Sequence, residues 1–128
     1  MLKPSILIVE DEIVVAMELE EKLSRMGYRV RGTVASGEAA LDFVETDPPD
    51  VVLMDIRLEG DMDGIQAARV ILEHHNIPVI YLTAHADERT LERAKLTEPF
   101  GYLVKPFSET GLRTTIEVAV YKHGETNR

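Results

Sequence analysis

Four carboxylates and two further polar groups stand where short apolar runs end. Ile6–Val9 leads into Glu10-Asp11-Glu12, Val51–Met54 into Asp55, Pro78–Leu82 into Thr83-Ala84, and Tyr102–Val104 into Lys105-Pro106. If Glu10, Asp11 and Asp55 meet, each pair of charges about 4 Å apart repels by roughly 4 kcal/mol at an effective dielectric near 20. Three such pairs cost on the order of 10 kcal/mol, comparable to the whole stability of a domain. Lys105 offsets part of this, and a hard divalent cation offsets more. An all-oxygen carboxylate set without His or Cys suits Mg²⁺, which keeps waters and leaves room for phosphate oxygens. Taken singly, each carboxylate is most simply a helix cap or a solvated loop residue. Glu12 reads that way, serving the first turn of the helix that follows. The four strand ends together are hard to credit to chance.

The elements that must position these groups alternate along the chain. The four runs are short, rich in Val, Ile and Leu, and suit strands buried on both faces of a parallel sheet. Tyr28–Val34 alternates apolar and polar residues, which predicts a more exposed edge strand. Between them lie helical stripes: Ala16, Leu19, Leu23 and Met26, closed by Gly27; Ala40, Phe43 and Val44, opened by Ser36 and stopped by Asp47-Pro48-Pro49; and Ile65, Ala68, Leu72 and His75. A fourth stripe has only Leu91 and Ala94 after Asp87. A fifth has Leu112, Ile116, Ala119 and Val120, capped by Ser108. Five β/α units predict an α/β fold with a parallel sheet covered on both faces. Ligands of such sheets bind outside the carboxyl ends of the strands.

Composition bounds the function. A chain of 128 residues holds one domain. With 14 basic against 23 acidic residues, the net charge of −9 argues against nucleic acid as a direct partner. The absence of cysteine excludes thiol redox chemistry and Cys-based metal sites. The apolar runs are too short to cross a bilayer, and Met-Leu-Lys-Pro-Ser is no secretory signal, so a cytoplasmic location is expected. His74 and His75 suit a helix end, and His123 is expected near a frayed terminus. Met17, Met26 and Phe43 are expected in the core.

The motifs Ile8-Val9-Glu10-Asp11, Leu53-Met54-Asp55, Met62-Asp63-Gly64, Tyr81-Leu82-Thr83-Ala84 and Gly101-Tyr102-Leu103-Val104-Lys105-Pro106-Phe107 occur in order. On them the chain resembles a response-regulator receiver domain of two-component signalling, from about Ser5 to Tyr121, with residues 1–128 read as a single receiver domain. The resemblance implies the flavodoxin-like (βα)5 fold with strand order 2-1-3-4-5, a topology the family itself exemplifies. It implies Asp55 as phosphoacceptor. Mg²⁺ (with Mn²⁺ as a substitute) is held by Glu10, Asp11, Asp55 and the backbone carbonyl of Arg57, and Lys105 donates to a phosphoryl oxygen. By the same resemblance Thr83 is the switch hydroxyl, Ala84 the small residue that leaves the phosphate accessible, and Tyr102 the aromatic that moves with Thr83. The Lys105–Pro106 peptide is cis, and Arg57 and His85 modulate hydrolysis.

That resemblance makes the protein a switch and no conventional enzyme. It takes its phosphoryl group from a sensor histidine kinase or phosphotransfer protein, then hydrolyses the aspartyl phosphate slowly, over minutes or longer. The output is a change in the face formed by the fourth helix, fifth strand and fifth helix, read by an effector protein or a fused domain. A homodimer through that face is compatible with the family. Two departures stand out: Glu10 replaces the commoner Asp, and the Asp55–Gly64 loop is one residue longer than usual, with Glu59 where Pro is frequent. After the fifth helix only Lys122–Arg128 remain, which leaves both a stand-alone protein and an excised receiver open.

Three other readings compete. A flavodoxin-type electron carrier needs a Ser/Thr/Gly-rich phosphate loop where this chain has Glu10-Asp11-Glu12. A haloacid-dehalogenase-type phosphatase needs Asp-x-Asp after its first strand, which is missing. A receiver used only as a protein-binding module conflicts with the full acid–Thr–Lys set.

Overall fold

The computed structural model describes residues 3–58, 60–84, 88–95 and 100–126. His85, Asp87 and Glu59 lie outside the described residues, as does the side chain of Leu91. Five strands and five helices alternate: β1 (Ser5–Val9), α1 (Ile13–Arg25), β2 (Arg29–Val34), α2 (Gly37–Thr46), β3 (Val51–Asp55), α3 (Gly64–His75), β4 (Val79–Thr83), α4 (Glu88–Lys95), β5 (Gly101–Val104) and α5 (Glu109–Thr126). The strands form one sheet in the order β2-β1-β3-β4-β5, with every pairing parallel. This is the flavodoxin-like doubly wound order that the motifs imply.

Three of the four continuous apolar runs occupy the middle of the sheet, since a strand covered on both faces has no solvent side to make polar, but the fourth, Tyr102–Val104, lies in the edge strand β5, where only Leu103 is buried. All five residues of β1, β3 and β4 are buried. Successive side chains point to opposite faces. Ile6, Ile8 and Leu53 pack with Leu19 and Leu23 of α1 and with Leu112 and Ile116 of α5. Leu7, Val9, Val52 and Met54 pack on the other face with Ala40 and Val44 of α2, Ala68 and Ile71 of α3, and Ala94 of α4. β2 alternates exposed and half-buried residues, as an edge strand should.

Caps set the helix boundaries. Ser36 accepts from the Ala39 amide at 3.1 Å and opens α2. Asp63 and Gln66 form a reciprocal capping box that opens α3, and Asn76 closes it in the left-handed region at φ 52°. Gly27 follows α1 at φ 92°, where a side chain would be strained.

Several expectations need correction. Met17 is 64% exposed, on the outer face of α1 beside Ile13 and Val14, because the core-facing stripe runs through Ala16, Leu19 and Leu23. Val120 is exposed too; the buried stripe of α5 ends at Ala119. Phe43 is half-buried, its ring lying over Gly32 of the edge strand. Glu12 is the N-cap residue of α1, yet its side chain caps no amide. His123 sits within α5, with Nε2 2.7 Å from the Asn76 carbonyl oxygen and its ring edge-on to Phe100.

Candidate functional site

The carboxyl ends of β1, β3, β4 and the start of the β5–α5 loop meet at one edge of the sheet. The parallel register puts them level: Val9 pairs with Met54, Asp55 with Leu82, and Thr83 with Val104. A chain leaving each strand at that level delivers its next side chain into the same space. The result is a cleft of about 200 Å³ lined by Glu12, Asp55, Ile56, Arg57, Thr83, Ala84 and Lys105.

Asp55 sits on its floor, buried at 6% exposure. One carboxylate oxygen, Oδ1, accepts from the Arg57 amide at 3.1 Å, and Oδ2 accepts from Lys105 Nζ at 3.3 Å. Lys105 also lies 2.7 Å from Oε1 of Glu10, whose side chain is fully buried. That contact is an ion pair; among the described residues no hydrogen bond of good geometry reaches this buried oxygen. The other Glu10 oxygen accepts from the Glu12 amide at 3.2 Å. Glu10, Asp11 and Asp55 each offer one oxygen, and these atoms all lie within 4.8 Å of one another.

The electrostatics follow from this crowding. Burial and the adjacent Asp55 carboxyl push the Glu10 pKa up, against the pull of Lys105 and the Glu12 amide. Burial alone pulls the Lys105 pKa down, but its two carboxylate partners outweigh that and hold it above the usual lysine value. Among the described residues Lys105 thus pairs with two of the three clustered carboxylates, and a buried glutamate oxygen lacks a proper donor. A hard divalent cation fits these residues, since it binds oxygen and compensates several carboxylates at once.

The expected site residues Glu10, Asp11, Asp55, Thr83, Ala84 and Lys105 are thus brought together. Thr83 is buried and Ala84 exposed at the rim. The Lys105–Pro106 peptide is cis. Arg57 places its backbone at Asp55. Tyr102 lies further out, half-buried, with its ring centroid 6.0 Å from that of Tyr81. Its hydroxyl is buried with no hydrogen-bond partner among the described residues, and burial raises its pKa.

Two residues important to the geometry carry no chemistry of their own. Gly64 opens α3 directly against the end of β3: a Cβ there would come within 1.9 Å of the Asp55 carbonyl oxygen. Its amide donates to the Ile56 carbonyl at 3.0 Å, locking helix to loop. The Met62-Asp63-Gly64 motif flags the position but not the reason, which is backbone proximity across the eight loop residues 56–63. Arg93 of α4 is the second: its Nη2 lies 2.9 Å from Oδ2 of the α3 cap Asp63, and no local pattern announces that pair.

The sequence matches the family described as response regulator receiver domain over residues 6–117. The chain belongs to this family. It is 38% identical over 120 residues to the transcriptional regulatory protein PdtaR of Mycobacterium tuberculosis, covering 94% of this chain and 58% of that protein. The chain therefore spans little more than half of that relative. Among solved structures, it is similar to the signal receiver domain of a modulated diguanylate cyclase from Desulfovibrio desulfuricans G20, with a TM-score of 0.92, 38% identity, and coverage of 96% of this chain and 98% of that one. It is also similar to the receiver domain of a sensor histidine kinase from Pseudomonas aeruginosa PAO1, described with a magnesium ion coordinated in its active site cleft. That match has a TM-score of 0.82 and 35% identity, covering 92% of this chain and 98% of the other. Receiver domains are signalling domains of two-component systems and not conventional enzymes, and they generally bind Mg²⁺ at an acidic pocket. Membership sets aside the flavodoxin and phosphatase readings. No described helix is long and apolar enough to cross a membrane.

Proposed function

We propose that the chain is a phosphorylation-dependent switch in which Asp55 accepts a phosphoryl group from the phosphohistidine of a sensor kinase or phosphotransfer protein. The observation that carries this is the placement of Asp55: a buried carboxylate on the floor of an open cleft, tied on one oxygen to the Arg57 amide and on the other to Lys105. A carboxylate is a competent covalent nucleophile in phosphoryl transfer. An Asp55 oxygen forms the new bond to phosphorus, the donor P–N bond breaks, and the imidazole leaves with the electron pair.

The residues divide the work. Glu10, Asp11 and Asp55, with the Arg57 carbonyl, would hold Mg²⁺, a reading supported by the oxygen cluster and by the magnesium-containing relative. When bound, that ion neutralises negative charge on the phosphoryl oxygens. Lys105 is fixed beside the acceptor as a point charge for a phosphoryl oxygen. Ala84 at the rim leaves the donor a path in. Thr83 and Tyr102 are the groups that respond. A phosphoryl group adds about −1.5 to −2 charge at pH 7. That charge draws Thr83 and Lys105 inward and biases the α4-β5-α5 face between two states. A downstream effector or a fused domain then reads this face, and it also offers a surface for a homodimer. Residues 1–128 act as one receiver unit, in the cytoplasm, without direct contact to nucleic acid.

Incubation with acetyl phosphate and Mg²⁺, read by intact mass, tests the reading. Wild type is expected to gain one phosphoryl group and Asp55→Asn none. Absence of gain in wild type, or equal gain in the variant, overturns it, and the first result favours a binding module that works without phosphorylation.

A further inference from the structure

Lys105 reaches the cleft from a loop rather than a strand. β5 ends at Val104 and α5 begins at Glu109, so four residues carry the lysine and turn the chain. The loop is fixed at both ends by backbone and cap bonds. The Lys105 amide donates to the Thr83 carbonyl at 2.9 Å, and the Gly111 amide donates to Ser108 Oγ at 2.9 Å. Its middle faces α1 across a cleft of about 260 Å³ bordered by Val15 and Leu19 on the helix and by Pro106 and Phe107 on the loop. Val15 and Phe107 also pack against the core cluster that holds Leu19.

One bond spans this gap. Lys22, half-buried near the end of α1, extends Nζ to 2.7 Å from the Phe107 carbonyl oxygen, an 85-residue separation in sequence. One helical turn on, Arg25 pairs with Glu109 of α5 at 2.9 Å, but both groups are widely exposed, so that pair contributes little. We propose that Lys22 is a positioning residue for Lys105: its ammonium holds the Phe107 carbonyl, and so keeps the Lys105 side chain between Glu10 and Asp55. The inference rests on the phosphoacceptor reading of Asp55 and extends it to a residue outside the cleft. A reacting charge displaced by a fraction of an ångström loses much of its effect, so a remote tether of this kind governs rate.

The test uses the full chain with acetyl phosphate and Mg²⁺, comparing Lys22→Met and Lys22→Arg in the wild-type and Lys105→Ala backgrounds. Lys22→Met is expected to slow phosphoryl uptake by about tenfold, with the urea midpoint little changed because Met keeps the half-buried apolar stem. Lys22→Arg, which still donates to a carbonyl, is expected to restore most of the rate. In the Lys105→Ala background Lys22→Met is expected to change nothing further, as a group acting only through Lys105 must. An equal fractional loss in both backgrounds, or wild-type rates in Lys22→Met, overturns the proposal. A second measurement needs no phosphorylation: hydrogen exchange of the Lys105 amide, bonded to Thr83, should accelerate in Lys22→Met while that of Val9 does not. Unchanged Lys105 exchange refutes the tether even if wild type takes up no phosphoryl group, a result that would separately refute the phosphoacceptor reading.

Discussion

The two flanks of the cleft are built differently. Glu10 and Asp55 leave β1 and β3, which are adjacent central strands buried along their whole length and packed from both faces. Tyr102 belongs to β5 and Lys105 directly follows it; β5 is an edge strand of four residues in which only Leu103 is buried and Val104 is 57% exposed. The carboxylates that repel one another therefore sit on the part of the sheet least able to yield, and the cation that answers them sits on the part most able to. A close-packed core resists displacement, whereas a thin edge with few buried apolar contacts opens at low cost. Under the function proposed above, that division would keep Asp55 fixed while Thr83, Tyr102 and Lys105 respond.

The largest expected effect bears on the rigid flank. Gly64→Ala forces a methyl group against the Asp55 backbone, so either the α3 start or the acceptor loop must shift. Phosphoryl uptake from acetyl phosphate is expected to fall by on the order of a hundredfold, measured by mass against time, since small misplacements of a nucleophile are costly. A variant that folds and reacts at the wild-type rate would show that this flank yields after all.

Next comes the core itself. Leu53→Ala, at a fully buried central position, is expected to cost about 2–5 kcal/mol in urea unfolding. Leu103→Ala on β5 is expected to cost less, because its surroundings can collapse into the space. Equal losses would erase the contrast between centre and edge.

Electrostatics separates the flanks by sign. The raised pKa of Glu10 means that the folded state keeps a proton the unfolded chain has already released, so stability falls as pH rises above the ordinary glutamate value near 4.5. Glu10→Gln removes that penalty and is expected to raise the urea midpoint at neutral pH in metal-free buffer. Lys105 acts oppositely: its raised pKa contributes stability that is complete below about 10.5 and is lost as pH climbs through the folded value. Lys105→Met is expected to lower the midpoint at neutral pH and to flatten the alkaline limb of the stability curve.

The smallest effect is spectroscopic. Burial raises the pKa of Tyr28, with Glu117 adding to it, and burial raises that of Tyr102. In an absorbance titration both should ionise above the usual value near 10, and stability should decline there as the unfolded tyrosines lose protons first. Phosphorylation is expected to shift the Tyr102 component alone, since Tyr28 packs against Lys3 at the far end of the sheet from the cleft.

Much of this was legible along the chain. Four continuous apolar runs and one alternating run sufficed to place five strands and to mark β2 as an edge, but the continuous run Tyr102–Val104 reads as interior and is the other edge, β5, because strand order depends on which strands pair and not on local pattern. The polar residue closing each run marked the cleft, because parallel strands all deliver their carboxyl ends to one edge. Local pattern failed where a residue's role depends on something distant. Met17 falls in an apolar segment, but α1 presents it to solvent. By contrast, Ala94, read as an anchor of the sparse fourth stripe, is fully buried in the cluster shared with α2 and α3.

The sequence by itself determined the α/β alternation, the types of group at the strand ends and their membership in a receiver domain, since periodicity and ordered motifs are local properties of a chain. Tertiary structure alone decided that Lys105 stands between Glu10 and Asp55, that Gly64 must lack a side chain, and that Lys22 reaches Phe107. Those facts are distances between segments far apart in sequence, and only the packing of one sheet against its helices sets them.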